Sequence, residues 1–383
     1  MYDPIPAPAA AARLDAAIDR ALAEKRIVGT VVLVARDGDV VHRRAAGLAD
    51  REAGRPMTED AIFLLASVAK PIVTAAAMRL VERGLLRLDE PVTRWLPDFR
   101  PRTTAGTAPT ITPHHLLTHT AGLSYDFMEP EDSPYRRLGV SSGLDRPGPS
   151  LGENLRRLAA APLLYPPGTA WGYSLSIDVL GAVIAEAAGV PLPEAVRRLV
   201  GNPLAMADTD FAVADPARLV AHYGDGTPEP VRMGEEQVVA FNGAAVTFAP
   251  RRLFDPRAYP SGGAGMAGTA GDVLKLLDVL HARGDFLERE TVRRMTSLQV
   301  GPEARTLGPG WGFGYGGAVL ADPAAAATPQ SPGTMQWSGA YGHSWFVDPV
   351  LGLTVVALTN TTFEGMAGAF ATDVRDAVYG TGR

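Results

Sequence analysis

Ser67-Val68-Ala69-Lys70 sets a hydroxyl and an amine three residues apart. On a helix those two side chains emerge as neighbours on one face. A serine hydroxyl is a weak nucleophile until a base takes its proton. Lysine can serve once burial strips its charge, whereas arginine cannot. The chain holds 13 serines but only three lysines, Lys25, Lys70 and Lys275, among its 36 basic residues. Chance places about 0.1 such pair in a chain of this composition, so the match is informative. On the motif alone, a serine near a helix start followed by a surface lysine stays open. A helix N-terminus would add free N–H groups and positive potential for a developing oxyanion. Tyr173, in the run Pro167-Gly168-Thr169-Ala170-Trp171-Gly172-Tyr173-Ser174, is the candidate third member. A phenol beside an ammonium ionises more readily and can act as base or relay.

Three other patterns look chemical and lack the context their chemistry needs. Gly139-Val140-Ser141-Ser142-Gly143 spells the nucleophile-elbow pattern, which requires a buried strand before the serine and a helix after it. Ser133-Pro134-Tyr135-Arg136-Arg137 and Asp145-Arg146-Pro147-Gly148-Pro149 supply neither. Gly263, Gly265 and Gly268 have a dinucleotide-type spacing, but Asp255 to Pro260 upstream is no hydrophobic strand, so tight turns are expected. His115 and His119 are four apart as in a zinc helix, yet Leu116 stands where a general-base Glu is required. A structural histidine pair is the expectation.

The elements around these residues follow from periodicity. Val73, Ala76, Ala77, Leu80 and Val81 make a helical stripe behind Lys70, with Gly84 as its stop. A helix from Ile177 to Ala188, capped by Ser176, follows Tyr173, and another spans about Asp272 to Ala282 with Thr269 as its cap. At the N-terminus an amphipathic helix over Ala11 to Lys25 precedes two strands, Ile27 to Ala35 and Val40 to Ala46, joined by an Asp37-Gly38 turn. At the other end, strands at Trp345 to Val347 and Leu353 to Leu358 lead into a helix from Glu364 to Val378. Both termini are therefore expected to build one antiparallel sheet with helices packed on it. The middle reads as mostly helix and loop. The implied domains are 1–75 with 255–383 for the sheet, and 76–254 for a mainly helical part, with the site between them.

Composition bounds the function. The formal net charge is −6, and the Arg clusters at Arg94 to Arg102 and Arg251 to Arg257 are interrupted by Pro, Asp and aromatics. This excludes a general nucleic-acid surface. With no cysteine, disulfides, thiol nucleophiles and Cys-based metal sites are all excluded. No cofactor or metal is expected. The N-terminal stretch lacks the pattern of an export signal and no apolar run reaches a membrane span, so the expectation is a cytoplasmic protein without membrane contact. Oligomeric state is not legible.

Taken together, Ala66-Ser67-Val68-Ala69-Lys70-Pro71, Thr112 to Leu123, Pro167 to Ser174, Ser261-Gly262-Gly263-Ala264-Gly265, Trp337-Ser338-Gly339 and Gly342 to Pro349 resemble the class C β-lactamase-like superfamily. Within it, the chain is most similar to the family VIII carboxylesterases. The resemblance implies an α/β protein of the α+β type with the serine β-lactamase/DD-peptidase-like fold, an antiparallel sheet flanked by helices plus a helical domain. It implies Ser67 as acylated nucleophile, Lys70 and Tyr173 as the coupled base and acid, and an oxyanion hole from the backbone N–H groups of Ser67 and Ala340. It places Tyr125 and Asp178 around the pocket. Two departures bear on substrate. Leu175 replaces the amide-binding Asn of the β-lactamase Tyr-x-Asn pattern, and Trp337 replaces the carboxylate-binding Lys of Lys-Thr-Gly. An apolar wall in place of a charge clamp points to neutral, hydrophobic, small-molecule acyl esters, with at most weak β-lactamase activity. Acyl transfer, or amide or β-lactam hydrolysis on the same serine, is the alternative enzyme. A non-catalytic binding module of this fold is the alternative outside enzymes.

Overall fold

Alternation along the Gly29–Arg36 strand divides the molecule into layers. Val31, Leu33 and Ala35 join one core cluster, while Val32 and Val34 join another. Successive side chains of a strand leave on opposite faces, and a central strand buried on both reads as an unbroken apolar run. The computed structural model describes residues 7–241 and 243–381. In it this strand is central to an antiparallel sheet of eight. The order is Trp311–Phe313, Ala318–Leu320, Met335–Gly339, His343–Asp348, Leu353–Thr359, Gly29–Arg36, Asp39–Asp50 and Arg55–Pro56. Thr30 to Arg36 pair in register with Thr359 to Leu353, so the two termini meet at the middle of the sheet. Asp37 and Gly38 both have positive φ, 54° and 92°, the conformation a two-residue hairpin turn requires.

The terminal helices, Ala7–Ala23 and Ala369–Tyr379, cover one face, where Leu14 and Ile18 pack with Phe370, Val374, Val32 and Val355. The Ala270–Asp278 helix covers the other through Val273 and Leu277. Its cap is as expected: the Thr269 side chain accepts from the Asp272 N–H at 3.3 Å. On that side too lies the Ala69–Glu82 helix, whose residues from Ala69 to Met78 are all buried. Its small Ala residues let neighbours approach from every direction, so the expected stripe is part of a helix buried nearly all round.

Three expectations need correction. The middle of the chain is not only helix and loop: Tyr223–Gly224 pairs with Val231–Arg232, and Gln237–Phe241 with Ala244–Phe248. The latter carries a β-branched run on each side of an Asn-Gly dipeptide, a hairpin signal in its own right. The last helix is two, Thr362–Ala367 and Ala369–Tyr379, parted at Gly368. Ser176 is not a cap: the Ser176–Ala188 helix begins at it, and its hydroxyl meets that of Ser174 at 2.9 Å. Among the described residues no single helix is long and apolar enough to cross a membrane.

Candidate active site

Ser67 lies in a single 3-10 turn, Ala66–Val68, that runs directly into the Ala69–Glu82 helix. Ala66 before it has φ 46°, a left-handed conformation an L-residue adopts at a cost of roughly 1–2 kcal/mol. Backbone held there is the kind of strain found where a turn must aim a side chain. The turn is held from three sides. The Leu65 N–H donates to Met266 O at 2.8 Å. The Leu64 carbonyl accepts from His343 Nε2 at 2.8 Å. The end of the Met335–Gly339 strand abuts the turn so closely that a Cβ on Gly339 would lie 2.5 Å from Leu65 O.

The Ser67 hydroxyl lies 2.6 Å from the Tyr173 hydroxyl and accepts from Lys70 Nζ at 3.0 Å. Lys70 is 1% exposed. Its other two hydrogens go to the Tyr125 hydroxyl at 3.1 Å and the Gly263 carbonyl at 2.8 Å, so all three donors are satisfied. Its nitrogen also lies 4.7 Å from the centre of the Tyr173 ring, within cation–π range. The Gly263 carbonyl was not foreseen, because a main-chain acceptor leaves no mark in the sequence. Gly263 sits in the Ser261–Gly265 turn, where Gly265 N–H donates to Ser261 O at 2.8 Å; the tight-turn reading holds for Gly263 and Gly265, while Gly268 lies in the short Ala267–Gly268 strand.

Asp178, 2% exposed, lies behind Lys70 and is carried by the Ser176–Ala188 helix. A Cβ on Gly263 would be 2.6 Å from its Oδ2 and 3.3 Å from Lys70 Nζ, so carboxylate and amine both crowd one glycine. Neither Asp178 oxygen has a hydrogen bond of good geometry. Burial pushes its carboxyl up to about 6, and the nearby Ser261, Lys70, Arg252 and Gly263 offset that only in part. Burial also holds the Tyr125 phenol well above its ordinary value, reinforced by Tyr173 and Asp178.

The outer layer is aromatic. Tyr173 packs against His119, Tyr125 and Trp337 with ring centres 5.0, 5.2 and 5.2 Å apart. Phe313 meets Trp337 edge-on at 5.4 Å and Trp171 at 5.6 Å. Phe313 had no sequence signature beyond being aromatic, while Trp171 and His119 lay inside the motifs that carry the resemblance without being assigned to the wall. Ala340 follows the Met335–Gly339 strand in a turn closed by Gly342 N–H to Gly339 O at 2.9 Å. Among the described residues the Ser67 and Ala340 N–H groups donate to no protein acceptor. Leu175 is fully buried in the core at the start of the Ser176–Ala188 helix.

The serine of the nucleophile-elbow pattern and the first histidine of the pair are held by partners of their own. Ser141 is 1% exposed; its hydroxyl donates to Asp145 at 2.5 Å and its N–H to Asn154 at 2.8 Å. His115 caps its own short helix, accepting from Thr112 N–H at 3.2 Å. His119 faces Ser174 at 3.2 Å, so the two rings share no ligand position.

The beta-lactamase family profile matches residues 14–379. The chain belongs to the beta-lactamase family. It is 58% identical over 372 residues to the esterase EstB of Burkholderia gladioli, covering 96% of this chain and 95% of that one. The solved structure of EstCE1, described as a hydrolase with promiscuous acyltransferase activity, superposes with a TM-score of 0.96 at 47% identity, over 97% of this chain and 99% of the other. A penicillin-binding protein homologue from Caulobacter crescentus shares the fold with a TM-score of 0.71 at 21% identity, covering 97% of each chain. The antiparallel sheet flanked by helices is thus the beta-lactamase-family fold, as the motifs implied.

Proposed function

We propose that this beta-lactamase-family chain is a serine carboxylesterase that hydrolyses short-chain, neutral, hydrophobic acyl esters through an acyl-enzyme on Ser67. The observation that carries the reading is one hydroxyl, Ser67 Oγ, within hydrogen-bond distance of both Tyr173 and Lys70. The Tyr173–Lys70 pair takes the Ser67 proton as Oγ bonds to the ester carbonyl carbon. The carbonyl oxygen becomes an oxyanion held by the N–H groups of Ser67 and Ala340. The C–O bond to the alcohol breaks, and the pair returns the proton to the departing alkoxide. Water then repeats the sequence on the acyl-enzyme, releasing the acid and restoring Ser67. Kinship to an enzyme named esterase supports the reaction class.

Substrate preference rests on the wall beside Ser67. In this reading Trp337, packed on Tyr173 and Phe313, replaces the cation that a β-lactam carboxylate would need. Losing a charge-assisted hydrogen bond costs about 1.5–3 kcal/mol, roughly ten- to a hundredfold in affinity. Tyr125, Asp178 and Leu175 back the pocket in this reading, and the division into 1–75 with 255–383 and 76–254 places it between the two parts.

The test is hydrolysis of p-nitrophenyl acetate and butyrate by wild type, Ser67→Ala and Ser141→Ala, with nitrocefin alongside. Loss in Ser67→Ala, retention in Ser141→Ala and weak nitrocefin turnover are expected. Activity that survives Ser67→Ala and dies with Ser141→Ala would overturn the reading. A second reading, acyl transfer to an alcohol, is supported by the promiscuous transferase activity in the description of EstCE1. Product partition with and without added alcohol separates the two.

A further inference from the structure

The Gly342-His343-Ser344 stretch has no part in the chemistry above, yet His343 touches the peptide chain that aims Ser67. Its ring is fully buried and packs edge-on against Phe63 at 5.7 Å. The Leu64 carbonyl has no proton, so the 2.8 Å contact fixes the hydrogen of His343 on Nε2. Nδ1, which has no partner, is then a bare lone pair in a neutral ring rather than an orphaned N–H. On the other edge of the same residue, the Leu64 N–H points at Nε2 of a second buried histidine, His222, at a longer 3.5 Å. Leu64 is therefore held through both of its main-chain polar groups by imidazoles of opposite hydrogen-bonding sense.

The positions of the two partners give this clamp a consequence. Leu64 lies three residues before Ser67, across the strained Ala66. His343 pairs with Gly339 at the end of the strand and lies three residues after Ala340. A single hydrogen bond thus ties together the turn that carries one unpartnered N–H and the hairpin that carries the other.

We propose that His343 is a positioning residue for the oxyanion hole, its Nε2–H fixing the Leu64 carbonyl and so the separation of the Ser67 and Ala340 N–H groups. The proposal rests on the acyl-enzyme reading above. Loosening the tie leaves substrate binding against the aromatic wall intact but spreads the two donors away from a tetrahedral oxygen. The loss falls on kcat rather than on KM.

The experiment compares His343→Phe, which keeps a ring and removes the donor, with His343→Gln, whose amide nitrogen reaches the place of Nε2. Each is assayed for kcat and KM on p-nitrophenyl butyrate, for inhibition by an aryl trifluoromethyl ketone, and for labelling of Ser67 by a fluorophosphonate. His343→Phe is expected to lose 10- to 100-fold in kcat with KM within about threefold, and to weaken ketone inhibition by the same factor; His343→Gln recovers to within about fivefold of wild type. Should His343→Phe fail to fold, His343→Asn replaces it, because its amide reaches only the place of Nδ1; Gln active and Asn impaired is then the expected pattern. Equal kcat in donor and non-donor variants overturns the positioning role while the Ser67 reading stands. An equal loss in His343→Gln and His343→Phe overturns it too. A wild type that neither hydrolyses esters nor labels at Ser67 brings down the acyl-enzyme reading and this role with it.

Discussion

At the scale of residues, the site is a buried cation ringed by acceptors with one hydroxyl at its exposed edge. Lys70 donates to Ser67, Tyr125 and Gly263, while Tyr173 contacts Ser67 from the open side. This arrangement makes the Tyr173 hydroxyl the atom best placed to receive the Ser67 proton, with Lys70 supporting the charge that develops. Tyr173→Phe keeps the aromatic packing and removes only that atom, so kcat is expected to fall by about 10²–10⁴ with little change in KM. Steady-state kinetics on the butyrate ester check it, and a loss under threefold would move the proton to another group. Asp178 adds a pH signature. Its carboxyl, pushed up to about 6, ionises beside Lys70 as the pH rises through that value and favours the ammonium form. Activity should climb through about pH 6, and Asp178→Asn should remove that inflection. A wild-type kcat/KM profile level across about pH 5 to 7 would show that the carboxylate does not act on the pair.

At the scale of elements, the site is a junction between a turn and a hairpin, and the tolerances are backbone tolerances. Gly339 has no room for a side chain: a Cβ would meet Leu65 O at 2.5 Å, Val68 Cγ2 at 3.1 Å and His343 Cδ2 at 3.1 Å. The nearest of these is main chain and cannot rotate away. Gly339→Ala must therefore push the hairpin off the Ser67 turn and, in the proposed reaction, lower kcat at least tenfold in a protein that still folds. Circular dichroism and ester kinetics test this together, and unchanged kcat in a folded Gly339→Ala protein would show that the junction has slack. The same junction explains what sequence reading reached and what it missed. Ser67 and Lys70 were legible because two scarce residue types fall on one helix face. The sheet was legible because its central strands are runs rich in β-branched residues, as in Thr30 to Val34, where only Leu33 is not one. Tyr173 was a candidate from its phenol, which can relay a proton beside an ammonium, whereas Ala340 and Trp337 took their roles from resemblance, since a lone alanine or indole announces no chemistry. Ala66 carries a left-handed conformation without any turn residue to announce it, and Gly263 contributes only a carbonyl. Both are products of tertiary packing, which local patterns do not encode.

At the scale of the whole molecule, the seven histidines act in one direction. His42, His114, His115, His119, His222, His281 and His343 are all held below their ordinary value, with burial the first cause in each. His222 is pushed down to about 3 and His343 to about 4, and both flank Leu64. In the unfolded chain these rings take a proton near pH 6.5. Between that value and their folded ones, the unfolded state binds more protons, so stability falls as the pH falls. The loss from His343 is complete near pH 4 and that from His222 near pH 3. Asp126 and Asp178, both pushed up to about 6 by burial, work the other way: the folded chain takes their protons first, and gains stability between about 6 and 3.8. Each such group contributes about 1.4 kcal/mol per pH unit while only one state is protonated. His222 and His343 nearly offset the two carboxyls between about pH 6 and 4, and the other five rings, all held below their ordinary value, tip the balance to a loss as the pH falls. The melting temperature should therefore begin to fall just below pH 7 and keep falling to pH 4. Replacing His222 and His343 together by Gln should flatten that limb, because both rings then drop out of the proton balance. Calorimetry across this range measures both slopes. A wild-type melting temperature that stays level from pH 7 to 4.5 would mean that the buried rings do not outweigh Asp126 and Asp178. A falling limb that is equally steep in the double variant would assign the acid sensitivity to the other rings and to carboxylates held low by arginine partners, such as Glu52 and Asp50.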